Sequence, residues 1–288
     1  MELNRRITNT EAIAVRADVL LANSYPEYSR AALAKLFDMQ KITKNLQPIK
    51  AGDKIQPNTE IVADINELAK KANVIPLPIL YEDENVIVIN KPTGIISHAR
   101  GRYWDEASVA SFIRDKTSGF SGERGGIVHR LDRATSGVMI CAKNQSTLSM
   151  LQKQFSERKV HKTYIAIITG MLQPQDGVID VPLARSTTEP NTFVPNKEGK
   201  RAQTEYHTIK TSGIYSQILL KPLTGRTHQL RVHLQYMKHP IVGDTLYKGE
   251  AADRLYLHAT SLEITIPGKE RKTFVAPLPT EFSEKMTC

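Results

Sequence analysis

At 288 residues the chain has room for one large domain and one small one. Its 39 Lys and Arg against 30 Asp and Glu leave a net charge of +9, a balance that favours a polyanionic partner such as nucleic acid, although a basic surface can also be merely solvated. Two cysteines exclude a disulfide framework and a cysteine-built zinc site, no apolar run approaches membrane-spanning length, and the charges throughout Met1 to Val15 argue against a secretory signal; a soluble, cytoplasmic, monomeric protein is expected.

In chain order, Arg16 to Asn23 carries Val19, Leu20 and Leu21 and reads as a short helix broken by Tyr25-Pro26. Ser29 is a helix N-cap for Arg30 to Met39, where Ala32, Leu33, Leu36 and Phe37 recur at helical spacing and leave Arg30 and Lys35 for the other side. Ile42 to Ile49 reads as a short strand and turn, Ala51 to Ile55 as a turn, and Glu60 to Val62 as a closing strand. Two small helices followed by short strands, with Lys41, Lys44, Lys50 and Lys54 along them, resemble an S4 RNA-binding domain over about Val15 to Ala63. The resemblance implies RNA contacts near Ser29, Arg30 and Lys35. Asn45-Leu46 departs from the Asn-Gly turn of that family, and a packing domain without RNA contact is the competing reading. The expected organisation is an S4-like domain over 1–63, a linker over 64–78 with one or two helical turns at Ile65 to Ala72, and a large domain over 79–288.

The large domain opens with Val86 to Ile89 as a central strand, turned by Lys91-Pro92-Thr93-Gly94. Arg100 to Gly126 is polar and irregular, with a short helix from Ala107 to Asp115. Then comes Gly125-Gly126-Ile127-Val128-His129-Arg130-Leu131-Asp132-Arg133-Ala134-Thr135-Ser136-Gly137. Glycines bracket it, and Val138 to Ala142 behind it is long enough for a buried strand and too short for a helix. This places a carboxylate, Asp132, on a tight loop at the edge of a sheet. An isolated Asp beside two arginines usually caps a turn. Cys141 in the following strand reads as a small core residue and Cys288 as a frayed terminus.

Ser146 to Arg158 puts Leu148, Leu151 and Phe155 on one helical face. Val160 to Gly170 alternates as a strand, Arg185 to Arg201 is a polar loop, and Ala202 to Ile209 and Tyr215 to Leu220 read as paired strands. After Thr224-Gly225-Arg226-Thr227-His228-Gln229-Leu230-Arg231-Val232-His233 a helix is expected from near Thr227 to Pro240, and Leu255 to Ile266 is the last long strand. Strands and helices do not alternate regularly, so the expected fold is α+β with a mixed, largely antiparallel sheet.

The string His129 to Gly137 resembles the catalytic motif of the RluA family of pseudouridine synthases, with Ala134 where that family often carries Asp. Tyr81 to Gly94 resembles the opening of such catalytic domains, Lys162 to Gly170 the second motif and Thr224 to His233 the third. The resemblance implies an isomerase of uridine in structured RNA. S4-bearing members commonly act on large-subunit ribosomal RNA; transfer RNA is the alternative substrate, and a non-catalytic ribosome-assembly factor the alternative class. A carboxylate glycosidase would need a second flanking acid, and none stands out.

Isomerising uridine breaks the bond from ribose to N1, turns the uracil and rejoins it through C5. Electrons balance, so no cofactor or metal is required, and the chain shows no Walker loop, Gly-x-Gly-x-x-Gly or His-Glu-x-x-His. The chemistry needs a carboxylate at the sugar or base, a base for the C5 proton, and a cation to keep the carboxylate ionised. By resemblance Asp132 is the nucleophile or proton abstractor, Tyr164 packs on the uracil and takes the C5 proton, and Arg226 pairs with Asp132. The same resemblance puts Arg130 against the flipped nucleotide and His129 beside it as support. His228 and His233, five apart, are poorly spaced to share a metal.

Overall fold

The structure is a computed structural model, and it describes residues 4–26, 28–69, 73–98, 106–120 and 124–287. Parts of the stretch expected to be irregular (100–105, 121–123), the end of the expected linker helix (70–72) and Cys288 lie outside the described residues.

The chain divides into two compact units, residues 1–73 with 99–107 and residues 74–98 with 108–288. In the first, the helices Ala17–Ser24 and Arg30–Asp38 bury Leu20, Leu21, Leu33, Leu36 and Phe37 against Ile42, Ile55 and Ile61. Ser29 starts the second helix by accepting the amide of Ala32 at 3.2 Å. The sheet runs in the order Asn4–Thr8, Glu60–Asp64, Ile42–Lys44, Gln47–Pro48. Asn4–Thr8 was not legible as a strand, because its five residues show no apolar alternation and find partners only in the distant Glu60–Asp64. Asn45 and Leu46 both take positive φ, 49° and 65°, so the chain makes a tight two-residue hairpin there without the expected glycine. The linker is shorter than 64–78: Ile65 and Leu68 are buried in the core of the first unit and Leu77 in that of the second, because each supplies apolar area its unit needs.

The second unit is built on a nine-stranded sheet. Its order is Asp176–Asp180, Gln203–Ser212, Tyr215–Pro222, His161–Thr169, Leu257–Thr265, Ser136–Ala142, Val86–Lys91, Ile79–Glu82, with Arg271–Val275 also paired to Leu257–Thr265. Leu257–Thr265 runs parallel to Ser136–Ala142, and every other pairing is antiparallel, so the sheet is mixed and largely antiparallel. All seven residues of Ser136–Ala142 are buried, which is why the run reads as continuously apolar rather than alternating. Burial pushes the Cys141 thiol up to about 12, consistent with a packing residue. The helix Gln145–Ser156, capped by Asn144 accepting the amide of Thr147 at 2.9 Å, lays Leu148, Leu151 and Phe155 on the same core as Val138 and Ile140.

Candidate active site

Asp132 is held by its backbone. Gly126 (φ 77°) and Gly137 (φ 118°) bound its loop, and a Cβ would collide with the Ala142 carbonyl at the first and the Ala259 carbonyl at the second. The close parallel strand therefore demands Gly137. Between them Ser97 clasps Leu131: its Oγ accepts the Leu131 amide at 3.1 Å and donates to the Leu131 carbonyl at 2.7 Å. The amide of Gly94 donates to the carbonyl of Arg133 at 2.8 Å and Thr93 Oγ1 to that of Ala134 at 2.9 Å. Lys91 is fully buried, with Nζ donating to the carbonyls of Ile95 at 2.7 Å, Pro92 at 2.9 Å and Arg133 at 3.3 Å. Burial pulls its ammonium down to about 7, against the pull of the Asp132 carboxylate. The turn at Lys91 to Gly94 is thus the brace of the Asp132 loop, a role not legible in the sequence.

Asp132 opens into a cavity of about 280 Å³ that Tyr164, Lys162, Arg226, His228 and Arg231 also line. Tyr164 gets there by a break in strand pairing: the register between His161–Thr169 and Leu257–Thr265 shifts between Thr163 and Tyr164, and such a shift re-aims a side chain. Burial, and then the Asp132 carboxylate, push the Tyr164 phenol well above the usual tyrosine range. Burial pulls the Lys162 ammonium down to about 8, and its Nζ donates to the Thr224 carbonyl at 3.3 Å.

The expected Arg226–Asp132 pair is not formed. Arg226 is half-buried where it lines the cavity, and its Nε donates to the Arg201 carbonyl at 3.1 Å. Arg231 stands in its place, with Nη1 3.8 Å from Asp132 Oδ2. The reason is where the helix begins. Gln229 Oε1 accepts the amide of Arg226 and the hydroxyl of Thr224, at 3.0 and 2.6 Å, and its Nε2 donates to the Gln203 carbonyl at 2.9 Å. This clamp holds Thr224 to His228 as a turn, the helix spans Gln229–Tyr236 rather than starting at Thr227, and its inward face takes Arg231. There the guanidinium forks onto the buried Asp244, with Nε–Oδ2 2.7 Å and Nη2–Oδ1 2.6 Å, and lies 4.9 Å from the centroid of Tyr247. His228 Nε2 is also 3.8 Å from Asp132 Oδ2.

His129 is a support. Its Nε2 accepts the amide of Ile140 at 3.1 Å, its ring stacks on Phe155 at 4.7 Å, and burial, followed by the nearby Lys162 charge, pulls the imidazole down to about 3. Arg130 is exposed and lines both this cavity and an adjoining one beside Phe120 and Arg124. His233 bonds Thr204 and the Val181 carbonyl at 3.0 and 3.1 Å and is a core histidine. In the first unit the Ser29 hydroxyl is engaged as a helix cap, Arg30 is exposed and Lys35 is half-buried.

The family model described as RNA pseudouridylate synthase matches residues 85–236. The chain is 37% identical to ribosomal large subunit pseudouridine synthase D of Borreliella burgdorferi, over 93% of its own length and 88% of that protein's. It is 31% identical to the protein of the same name from Haemophilus influenzae, over 96% and 92% of the two lengths. Among solved structures, human RNA pseudouridylate synthase domain containing 1 superposes with a TM-score of 0.59 at 30% identity, covering 72% of this chain and 86% of that one.

Proposed function

The chain belongs to the RNA pseudouridylate synthase family, and from that premise we propose that it converts uridines of large-subunit ribosomal RNA to pseudouridine with Asp132 as its catalytic carboxylate. The observation that carries this reading is Asp132 on a braced loop, inside a cavity that also holds Arg231 and Tyr164. The ribosomal substrate rests on the relatives named for it. It is tested by mapping pseudouridine in ribosomal and transfer RNA from cells with and without the gene. Loss confined to transfer RNA overturns the choice of substrate. No helix among the described residues is long and apolar enough to cross a membrane, and action on ribosomal RNA as a monomer in the cytoplasm completes the proposal.

In this scheme the target uridine leaves its stack, at a cost of a few kcal/mol, and enters the cavity, where Arg130 fills the vacated space or holds the flipped nucleotide. Asp132 acts as nucleophile or proton abstractor while the bond from ribose to N1 breaks. The uracil leaves with the bonding pair, turns against Tyr164, and rejoins the sugar through C5. The C5 proton goes to the Tyr164 phenolate, N1 takes a proton from water, and the phenol returns its proton to the hydroxide left behind, so the protons balance. To accept the C5 proton, the phenol must first be ionised. Its raised pKa makes that form scarce at neutral pH, so the phenolate fraction grows tenfold per pH unit. The rate of product formation under single-turnover conditions should therefore climb with a slope near +1 in log rate from pH 7 to 9. Tyr164→Phe should retain RNA affinity while losing the C5 proton release. A flat profile in the wild type, with Tyr164→Phe releasing tritium from C5 normally, would reduce Tyr164 to a stacking surface.

The first unit is proposed as the S4-like RNA grip, on the strength of its two helices and its lysines. Deleting residues 1–72 keeps Leu77 for the core of the second unit, and Asp132, Tyr164 and Arg231 with it. RNA binding should weaken, and the dependence of log affinity on log salt should flatten by roughly 0.7 to 0.9 for each phosphate the shortened protein no longer neutralises. The rate at saturating RNA should survive. An unchanged salt slope with a collapsed saturating rate would mean that the first unit supports the site instead of gripping RNA.

A further inference from the structure

His228 is the side chain in the cavity, close to Asp132, that the scheme above leaves without a task. Its backbone is left-handed, φ 56° and ψ 15°, a conformation uncommon for a residue with a Cβ and one that collects at functional sites. Phe193 and Tyr247 meet its imidazole edge-on, with centroids at 5.8 and 5.5 Å. Nδ1 lies 2.8 Å from the Tyr247 hydroxyl. That hydroxyl also accepts the backbone N–H of Phe193 at 2.9 Å, which leaves it one lone pair and its own proton to offer Nδ1. Burial holds the imidazole below its ordinary pKa; the Asp132 and Asp244 carboxylates pull the other way and Arg231 and Arg130 reinforce it, a balance that favours the neutral ring. A neutral ring whose Nδ1 accepts carries its proton on Nε2. Nε2 is the atom that faces Oδ2 of Asp132, and Nη1 of Arg231 reaches that same oxygen, each at 3.8 Å. No described residue donates to Oδ1.

We propose that His228 is a positioning residue for the isomerisation: with its tautomer set by Tyr247, it and Arg231 hold Oδ2 of Asp132 and leave Oδ1 as the oxygen that reacts. The proposal rests on Asp132 being the catalytic carboxylate. The 3.8 Å gaps close when a uridine fills the cavity, as hydrogen bonds that are long in an unloaded site tighten around substrate. A carboxylate free to turn presents either oxygen; one held through a single oxygen presents the other in a fixed direction, which is the gain that positioning makes.

Three variants test this on an unmodified transcript of large-subunit ribosomal RNA under single-turnover conditions. His228→Asn tolerates the left-handed backbone and can still meet Tyr247, but is too short to reach Asp132. His228→Gln restores the reach, and Tyr247→Phe keeps the imidazole and frees its tautomer. In His228→Asn the rate at saturating RNA should fall at least tenfold with Kd within twofold of wild type. His228→Gln should recover part of the loss, and Tyr247→Phe should lose several-fold. Nitrogen-15 spectra should show a neutral Nε2–H ring in the wild type and a loss of that preference in Tyr247→Phe. A wild-type rate in His228→Asn, a loss confined to Kd, or an Nδ1–H ring in the wild type overturns the proposal. Inactivity of the wild type on the transcript overturns the choice of RNA instead, and the nitrogen spectra then decide the role of His228 by themselves.

Discussion

Asp132→Asn is expected to abolish pseudouridine formation while leaving the protein folded and its RNA affinity near normal. The substitution removes one charge at nearly constant shape. The loop does not depend on that charge: Ser97, Gly94, Thr93 and Lys91 hold it through the backbone of Leu131, Arg133 and Ala134. An amide is a far weaker nucleophile or base than a carboxylate, so the loss should exceed a thousandfold, about 4 kcal/mol of barrier. Single-turnover conversion, thermal melting and RNA binding of the same preparation separate the chemistry from the fold. Residual turnover within tenfold of wild type, about 1.4 kcal/mol, would remove Asp132 from the reaction.

The second large effect distinguishes the two arginines of the third motif. Arg231→Lys should lower the saturating rate by about a hundredfold or more, and lower the melting temperature as well. An ammonium keeps the charge near Asp132 but cannot reproduce the planar fork onto Asp244, whose buried carboxylate then keeps only one of its two bonds. Disturbing a buried pair of this kind costs up to about 3–5 kcal/mol when a partner is removed, and Lys should forfeit part of that. Arg226→Lys should behave differently. Its side chain is half-buried and, among the described residues, its Nε meets a backbone carbonyl instead of a buried carboxylate, so the fold should be little affected and the rate should change by less than tenfold. Equal losses in the two variants, or a normal rate in Arg231→Lys, would show that the 3.8 Å approach of Arg231 to Asp132 has no part in catalysis.

The sequence by itself determined what is local. The Asp132 loop, its bounding glycines and the buried strand behind it are contiguous, so turn chemistry and an apolar run were enough to read them. The mixed sheet followed from the irregular alternation of strands and helices, and the Ser29 cap and the amphipathic Gln145–Ser156 helix from residue spacing. Tertiary structure alone decided which groups meet across the chain. Arg226 and Arg231 are equivalent as letters five apart. Their fates separate only because Gln229 clamps the turn before them and the helix begins too late to turn Arg226 inward. Lys91 and Ser97 read as a turn and its neighbour until the folded sheet brings them beneath residues 131–134. The strand Asn4–Thr8 exists because Glu60–Asp64 offers it a ladder, not because of its own composition. In each case the deciding energy is a long-range hydrogen bond or buried contact, whose partner no local period or turn signal encodes.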